Sequence, residues 1–407
     1  MRILYFHQHF STPKGATGIR SYEMARKLTA QGHQVTMVCG SYSGGNTGLT
    51  MPFVNGQRRG TVDNIDIIEF EIDYANAQSL LKRTLVFAKF AYKSIKIALK
   101  HDYDLAFATT TPLTAALPGL AARWLKRKTF IFEVRDLWPE LPKAMGVITN
   151  PLVLFAMSSL ERLAYRSAHG HIGLSPGIVT GIKQHIAQDK NIALIPNGCD
   201  LDIFAQSLDE WQPEGINSDD FVAVFSGTHG QANGLHAIIN AAEMTLKQAP
   251  QIKFLLVGQG KLKPELMRLA NDKKLSNIIF LAPINKALLA KLFNRADVGL
   301  QVLANIPAFY HGTSPNKFFD YIAAGLPVIN NYPGWLAEAI TEHQCGIAVE
   351  PDNTPALVDA LIKLSTQESL CKQMGKNARK LAKQQFSRQQ LAQQFVDYIE
   401  QVHANND

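Results

Sequence analysis

The chain has 407 residues, 46% of them hydrophobic, with 41 Lys and Arg against 34 Asp and Glu. Together with 28 Gly and 19 Pro that follow no period, these figures exclude a collagen, a disordered tail and a multispan membrane protein; at roughly 150 residues per domain the length suits two or three domains. Charge is uneven, with 23 basic against 14 acidic side chains in residues 1–200 and 18 against 20 in 201–407, so an anionic partner is expected on the first half.

The first predicted strand, Ile3–Phe6, runs straight into His7-Gln8-His9, which reads as a strand and not a secretory leader; a cytoplasmic protein is expected. Further strands are predicted at 35–38, 65–70, 105–108, 129–134, 171–174 and 193–195. A second set follows at 221–225, 252–257, 278–281, 298–303, 327–330 and 347–349. Helical patterns separate them, so the expected class is α/β: two doubly wound, Rossmann-like domains facing across a cleft, with ligand at the carboxyl ends of the sheets. Pro196-Asn197-Gly198 and the acidic stretch Leu201 to Asp219 read as turn and linker, which divides the chain into 1–200 and 201–384. A long closing helical pattern, Ala378 to Val402, is expected to return from about 385 to brace the first domain. Cys39, Cys199, Cys345 and Cys371 form no CxxC pair, so neither a disulfide framework nor a structural zinc is expected.

Between the first strand and a helix predicted at 21–31 lies Pro13-Lys14-Gly15-Ala16-Thr17-Gly18-Ile19-Arg20. Gly15 and Gly18 would let backbone N–H groups approach an anion at the helix start, although a plain turn is the alternative. The pattern is not GxGxxG, which argues against a nicotinamide-dependent dehydrogenase. A second glycine loop, Ser226 to Leu235, occupies the same place after the first strand of the second set and contains Gly227, Gln231 and Asn233. The most specific segment is Gly312 to Ile329, where Ser314 is expected as N-cap, Pro315 as first helical residue and Gly325 as terminator. The N–H groups of Asn316 and Lys317 would then hold a diphosphate, at about 0.3–1 kcal/mol per charge–dipole contact. Asp320, a turn further in, is read as reaching ribose.

Glu133, Arg135 and Asp136 end a buried-type strand, where α/β sites lie. Arg135 offers a cation there and Asp136 or Glu133 a carboxylate, which makes all three catalytic candidates, with a structural ion pair as the alternative. Residues 80–100 hold six basic side chains and no acid, and Lys82, Lys89, Lys93, Lys96 and Lys100 fall within about 60° on a helix at 100° per residue. That basic stripe on an apolar helix, with Arg123 to Lys128, suits an anionic membrane surface or else an ordinary solvated face. Gly173-Leu174-Ser175-Pro176-Gly177 imitates a nucleophile elbow, but Pro176 lacks the N–H of an oxyanion hole, so Ser175 reads as an N-cap. His7 with His9, and His169 with His171, lack the carboxylates or thiols of a metal site; no metal is expected.

Taken together, Gly15 to Arg20, Glu133 to Glu140, Pro196 to Gly198, Gly258-Gln259-Gly260, Ala296-Asp297-Val298 and Gly312 to Ile329 resemble the family 4 retaining glycosyltransferases of the GT-B fold over nearly the whole chain. The similarity is strongest to the bacterial branch that builds O-antigen and capsule units. The resemblance implies a UDP-sugar as co-substrate in the second domain, with no cofactor and no metal. It adds Gly258, Pro283 and Ile284 to Asp320 as nucleotide contacts, and implies an acceptor site with His9 and Arg20 in the first. It further implies transfer of an N-acetylhexosamine or deoxyhexose to a lipid-linked or oligosaccharide acceptor, peripheral on the inner face of the cytoplasmic membrane. Two positions depart from the family: its Glu-x7-Glu pair falls on Gly312 and Asp320, and its loop Arg and Lys fall on Gln231 and Asn233. A UDP-N-acetylhexosamine 2-epimerase on the same fold is the rival reading. A nucleic-acid binder is disfavoured, because no reading motif or aromatic platform accompanies the basic half.

Overall fold

A computed structural model describes all residues except 76–77, 188–190, 205–208 and 407. The chain divides into two units: Met1–Pro196 with Gly312–Ser314 and the residues from Gln389 onward, and Asn197–His311 with Pro315–Arg388.

In the first unit eight strands form one sheet, in the order β3-β4-β2-β1-β5-β6-β7-β8. They are β1 Arg2–Phe6, β2 Gln34–Gly40, β3 Gln57–Val62, β4 Ile65–Phe70, β5 Leu105–Thr109, β6 Thr129–Val134, β7 Gly170–Gly173 and β8 Asn191–Leu194. All pairs are parallel except β3 with β4. The central strands β5 and β6 are buried along their whole length, as two-face coverage by helices requires. β3 was not expected. Its Arg58-Arg59-Gly60 breaks the apolar run, but the turn before β4 places Asp63 and Asn64 at φ 48° and 63°, the left-handed pair of a type I′ hairpin.

In the second unit six strands, β9 Phe221–Ser226, β10 Ile252–Val257, β11 Ile278–Leu281, β12 Val298–Gln301, β13 Val328–Asn330 and β14 Gly346–Ala348, are all parallel in the order β11-β10-β9-β12-β13-β14. This is the doubly wound order in which the chain reverses direction across the sheet between β9 and β12, and such sheets bind ligands outside the carboxyl ends at that point. The core is apolar, built from Phe225, Ile238, Phe254, Leu256, Leu300 and their neighbours.

Two predicted boundaries differ from what forms. The closing helical pattern is two helices, Glu368–Gln385 and Arg388–Ala404. The break arises because Cys199 donates its N–H to Phe386 O at 2.6 Å and its carbonyl accepts from Arg388 N at 3.0 Å, so Ser387 pairs with Cys199 and the α ladder stops. The last helix packs within the first unit: Phe395 stands edge-on to Phe107 at 5.1 Å, and Tyr398 Oη receives His171 N–H while donating to Asn191 O. The expected linker is partly core. Phe204 is buried and stacks on Phe293 at 5.5 Å, and Trp211 N–H bonds Lys291 O; residues 205–208 of that segment lie outside the described residues.

Candidate active site

In the second unit the glycine loop after β9 is shaped by close backbone approach. Gly227 donates its N–H to Val257 O, and Gly258, at φ 144°, leaves room where a Cβ would stand 1.9 Å from Gly227 O. Gly260 is needed for the same reason, since a Cβ there would lie 2.3 Å from His229 O. Gln231–Asn233 then make one 3₁₀ turn, with Gln231 exposed.

Asn233 is a two-sided bridge. Its Nδ2 donates to Thr228 O at 2.7 Å, and its Oδ1 accepts from Lys317 Nζ at 2.7 Å. Lys317 also lies 4.8 Å above the Phe225 ring, and Gly227 gives its Cε space at 3.2 Å. No carboxylate pairs with this lysine among the described residues, and burial pulls its ammonium down to about 7. Lys317 is the second residue of the helix Asn316–Ala324, whose N-cap is Pro315 with no side-chain cap. This corrects the cap expected at Ser314: Pro315 stays extended at ψ 131°, so the helix opens one residue later. The cap residue therefore supplies no side-chain acceptor, and the buried Asn316 Oδ1 beside it has no partner among the described residues.

Asp320 does not stand ready for ribose. It is 6% exposed, and its Oδ1 accepts from Lys286 Nζ at 3.0 Å; Lys286 also donates to Asp200, which in turn receives Arg388 Nε at 2.8 Å. Burial raises the Asp320 carboxyl, whereas the Arg388 and Lys286 charges overcome burial at Asp200 and hold that carboxyl low. Asp320, read from sequence as a ribose contact, is thus part of a buried four-charge cluster. Gly258, exposed Pro283 and half-buried Ile284 follow β10 and β11 at the same carboxyl edge. A Cβ at Gly312 would meet nothing within 4 Å. Lys263, not singled out from sequence, closes the ends of β10 and β11 by donating to Gly258 O and Leu281 O at 2.9 and 2.7 Å.

The first unit answers differently. Arg20 is fully buried, with Nε and Nη2 on Glu133 Oε2 at 3.0 and 2.8 Å, Nη1 on Pro196 O at 2.6 Å and Nη2 on Ile195 O at 2.9 Å. Glu133 Oε1 accepts from Thr109 Oγ1 at 2.7 Å. Burial would raise the Glu133 carboxyl, but the Arg20 and Arg135 charges hold it below its ordinary value. Arg20, expected at the acceptor, and Glu133, expected as a catalytic residue, are thus both fully buried here, each satisfying the other. Gly15 is engaged as well. Its N–H already bonds Thr12 O, and its missing side chain admits Ser11 Oγ at 2.2 Å from the Cβ position. Gly18 stands half-buried in the turn before the helix Arg20–Ala30.

Arg135 remains available. It is half-buried, its main-chain N–H is held by Thr110 Oγ1, and its Nη1 donates to His7 Nε2 at 3.0 Å. Burial first, and the Arg135 charge second, push His7 well below its ordinary value, so the ring is a neutral acceptor. Asp136, also half-buried, takes Thr111 Oγ1 at 3.1 Å, and burial raises its carboxyl. His9 is packed by Tyr74 at 4.5 Å and Tyr42 at 5.2 Å; burial and then Arg135 lower it to about 3, and its Nε2 has no partner among the described residues. Ser175 accepts Ile178 N–H at 3.2 Å, the N-cap role read for it.

The basic helix Leu80–Lys100 is less free than its periodicity implied, since Lys93 and Lys89 donate to Gly56 O and Glu71 O. Phe90 and Ile97 are buried, but Leu81 and Leu85 are exposed, Leu81 by 73%. A second apolar tip was missed from sequence: the helix Pro151–Ser167 exposes Leu152 by 77% and Phe155 by 72%. Trp124 Nε1 bonds Ser167 Oγ at 3.0 Å, joining this helix to the Arg123 to Lys128 patch.

Residues 15–198 match the glycosyl transferase 4-like domain, and residues 208–381 match the group 1 glycosyl transferases. The chain belongs to the family 4 glycosyltransferases. It is 24% identical over 430 residues to WcaI of Escherichia coli K12, a glycosyl transferase assigned to colanic acid biosynthesis, covering 98% of this chain and 100% of that one. Among solved structures, sucrose-phosphate synthase of Thermosynechococcus elongatus superposes with a TM-score of 0.74 at 18% identity over 99% of each chain. Anabaena HepE, crystallised with UDP-glucose, gives 0.68 at 18% identity over 98% of this chain and 100% of its own. These likenesses show the GT-B fold, built from two parallel-sheet Rossmann-like units.

Proposed function

We propose that this glycosyltransferase moves a sugar, of N-acetylhexosamine or deoxyhexose type, from a UDP-sugar to a lipid-linked or oligosaccharide acceptor in surface-polysaccharide synthesis, with retention at the anomeric carbon. One observation carries the reading: Lys317, half-buried and with no carboxylate partner among the described residues, stands over the glycine loop at the start of a helix whose cap residue, Pro315, offers no side-chain acceptor. A diphosphate supplies the missing negative charge to both the lysine and the helix dipole. The UDP and UDP-glucose complexes of HepE and the colanic acid assignment of WcaI agree with this donor and this pathway class.

In the reaction the bond between the sugar's anomeric carbon and the UDP oxygen breaks, and the acceptor oxygen bonds to that carbon. The acceptor proton passes to the departing β-phosphate on the same face. Lys317 and the Asn316 amide stabilise the charge that develops on UDP, the service a metal ion provides elsewhere. In the first unit, Arg135, held to His7, and Asp136 and His9 offer charged and polar contacts to the acceptor. The exposed apolar and basic side chains of segments 80–100, 123–128 and 151–167 suit an anionic inner-membrane surface, where about 1 kcal/mol accrues per basic residue. Among the described residues no helix is long and apolar enough to cross a membrane.

Calorimetry with UDP is the direct test. Binding by the wild type that weakens at least tenfold in Lys317→Met is the expected result; equal binding by both sinks the donor assignment. Release of UDP from a nucleotide-sugar only when acceptor is present separates transfer from epimerisation.

A further inference from the structure

The second half of the chain is acidic, yet one of its helices is not. Outside the helix Glu368–Gln385, residues 201–407 hold 13 basic and 19 acidic side chains; within it stand five cations and one acid. Lys372, Lys376, Arg379, Lys380 and Lys383 recur at spacings that keep them within about 100° of one another, so they share a face. All five line a cavity of about 650 Å³.

Its floor is backbone-rich. Gly325, at φ 79°, ends the helix Asn316–Ala324, and Gly375 has no side chain because a Cβ would stand 2.4 Å from Gly325 O. Arg379 is fixed there: Nη2 donates to Ala324 O at 2.7 Å, while its buried Nε has no partner among the described residues. Leu326 and Pro327 supply an apolar wall. The lining contains a single carboxylate, Asp297, whose Oδ2 accepts Val222 N–H at 2.7 Å and lies 3.7 Å from Arg295 Nη1. Glu368, outside the lining, bonds Lys372. The excess of positive charge is thus concentrated on a concave surface of ligand size. Asp297 precedes β12 and Pro327 precedes β13, so the cavity is at the amino edge of the sheet, opposite the loops that follow β9.

We propose that this cavity is a second anion site, specific for a phosphate ester with a small apolar part, and separate from the donor pocket. The Arg379 guanidinium, anchored on Ala324 O, and the lysines at the mouth supply positive charge and donors, and Leu326 and Pro327 receive the apolar part. Free metabolites and lipid headgroups carry the same group.

The test uses full-length chain carrying Lys317→Met, so that the outcome does not depend on the donor reading. Inorganic pyrophosphate is titrated by calorimetry at constant ionic strength, with and without K376Q/K380Q, two exposed positions whose change leaves the core intact. Binding that weakens at least tenfold in K376Q/K380Q supports the site; unchanged affinity, or no heat in either chain, overturns it. Cosedimentation with phosphatidylcholine vesicles containing one-fifth phosphatidylglycerol separates the sources. Loss of pyrophosphate binding with unchanged vesicle retention supports a free phosphate ester, and loss of both supports a headgroup. Loss of vesicle retention alone overturns the cavity in favour of a flat basic face.

Discussion

The two glycine loops stand at the same topological position in their respective units and have opposite chemistry. In the first unit the cation beside the loop, Arg20, meets a carboxylate and two carbonyls and is sealed at 0% exposure. In the second, Lys317 meets a neutral amide and a ring face and, among the described residues, no carboxylate. A matched buried charge is structure, whereas an unmatched one is a standing demand for an anion. Position on the sheet nominates both loops; the partner of the cation decides between them.

The largest expected effect tests the matched side. Glu133→Gln or Arg20→Met leaves one charge buried without compensation and should lower stability by about 3–5 kcal/mol. Urea unfolding measures this. A Glu133→Gln chain as stable as wild type but inactive would return Glu133 to the chemistry and erase the contrast. Next is Lys317→Met. Losing a charge-assisted contact to phosphate weakens UDP binding by about 1.5–3 kcal/mol, while removal of a half-buried cation that has no carboxylate partner makes the free chain more, not less, resistant to heat. Opposite signs in binding and melting are the signature; a loss in both would mean that Lys317 is structural like Arg20.

The pH dependence sharpens the same point. Lys317 ionises near 7 when folded and near 10.5 when exposed, so between those values the unfolded chain binds the extra proton and this group's contribution to stability rises with pH. For binding the sign reverses. UDP favours the ammonium, so affinity falls as pH rises above about 7, by up to about tenfold per unit, and UDP binding at pH 8 takes up a proton. Titrations in buffers of different ionisation heat read that proton directly. Lys317→Met should abolish the uptake.

Much of this arrangement was legible in the residues. Runs such as Thr129–Val134 and Ile252–Val257 are continuous apolar stretches because both faces of a parallel strand are covered, and they form strands over those spans. β3 was hidden because an edge strand can carry Arg58 and Arg59 outward, leaving only the Asp63-Asn64 turn as a sign. In the sites, residue type singled out both Asn233 and Lys317, which the fold brings into one hydrogen bond. What type cannot show is the partner. The Lys317–Asn233 bond spans 84 residues and the Arg20–Glu133 pair 113, so neither the free cation nor the sealed one declares itself in a local pattern. Asp320 was misread for the same reason, its Lys286 partner being 34 residues away.

The smallest change tests the comparison most closely. Asn233→Asp replaces an amide by a carboxylate of the same shape, and its Oδ atom already lies 2.7 Å from Lys317 Nζ. The second loop then acquires what the first one has, a charge matched within the protein. An adjacent carboxylate favours the ammonium, so Lys317 should ionise well above 7 and the proton uptake on UDP binding should vanish. The new carboxylate also competes with phosphate for the lysine and repels it, so affinity at pH 7 should fall by about 1 kcal/mol, less than for Lys317→Met because the cation is still present. If Asn233→Asp instead tightens UDP binding, the lysine's want of a carboxylate is not what draws the diphosphate, and the contrast between the two loops loses its cause.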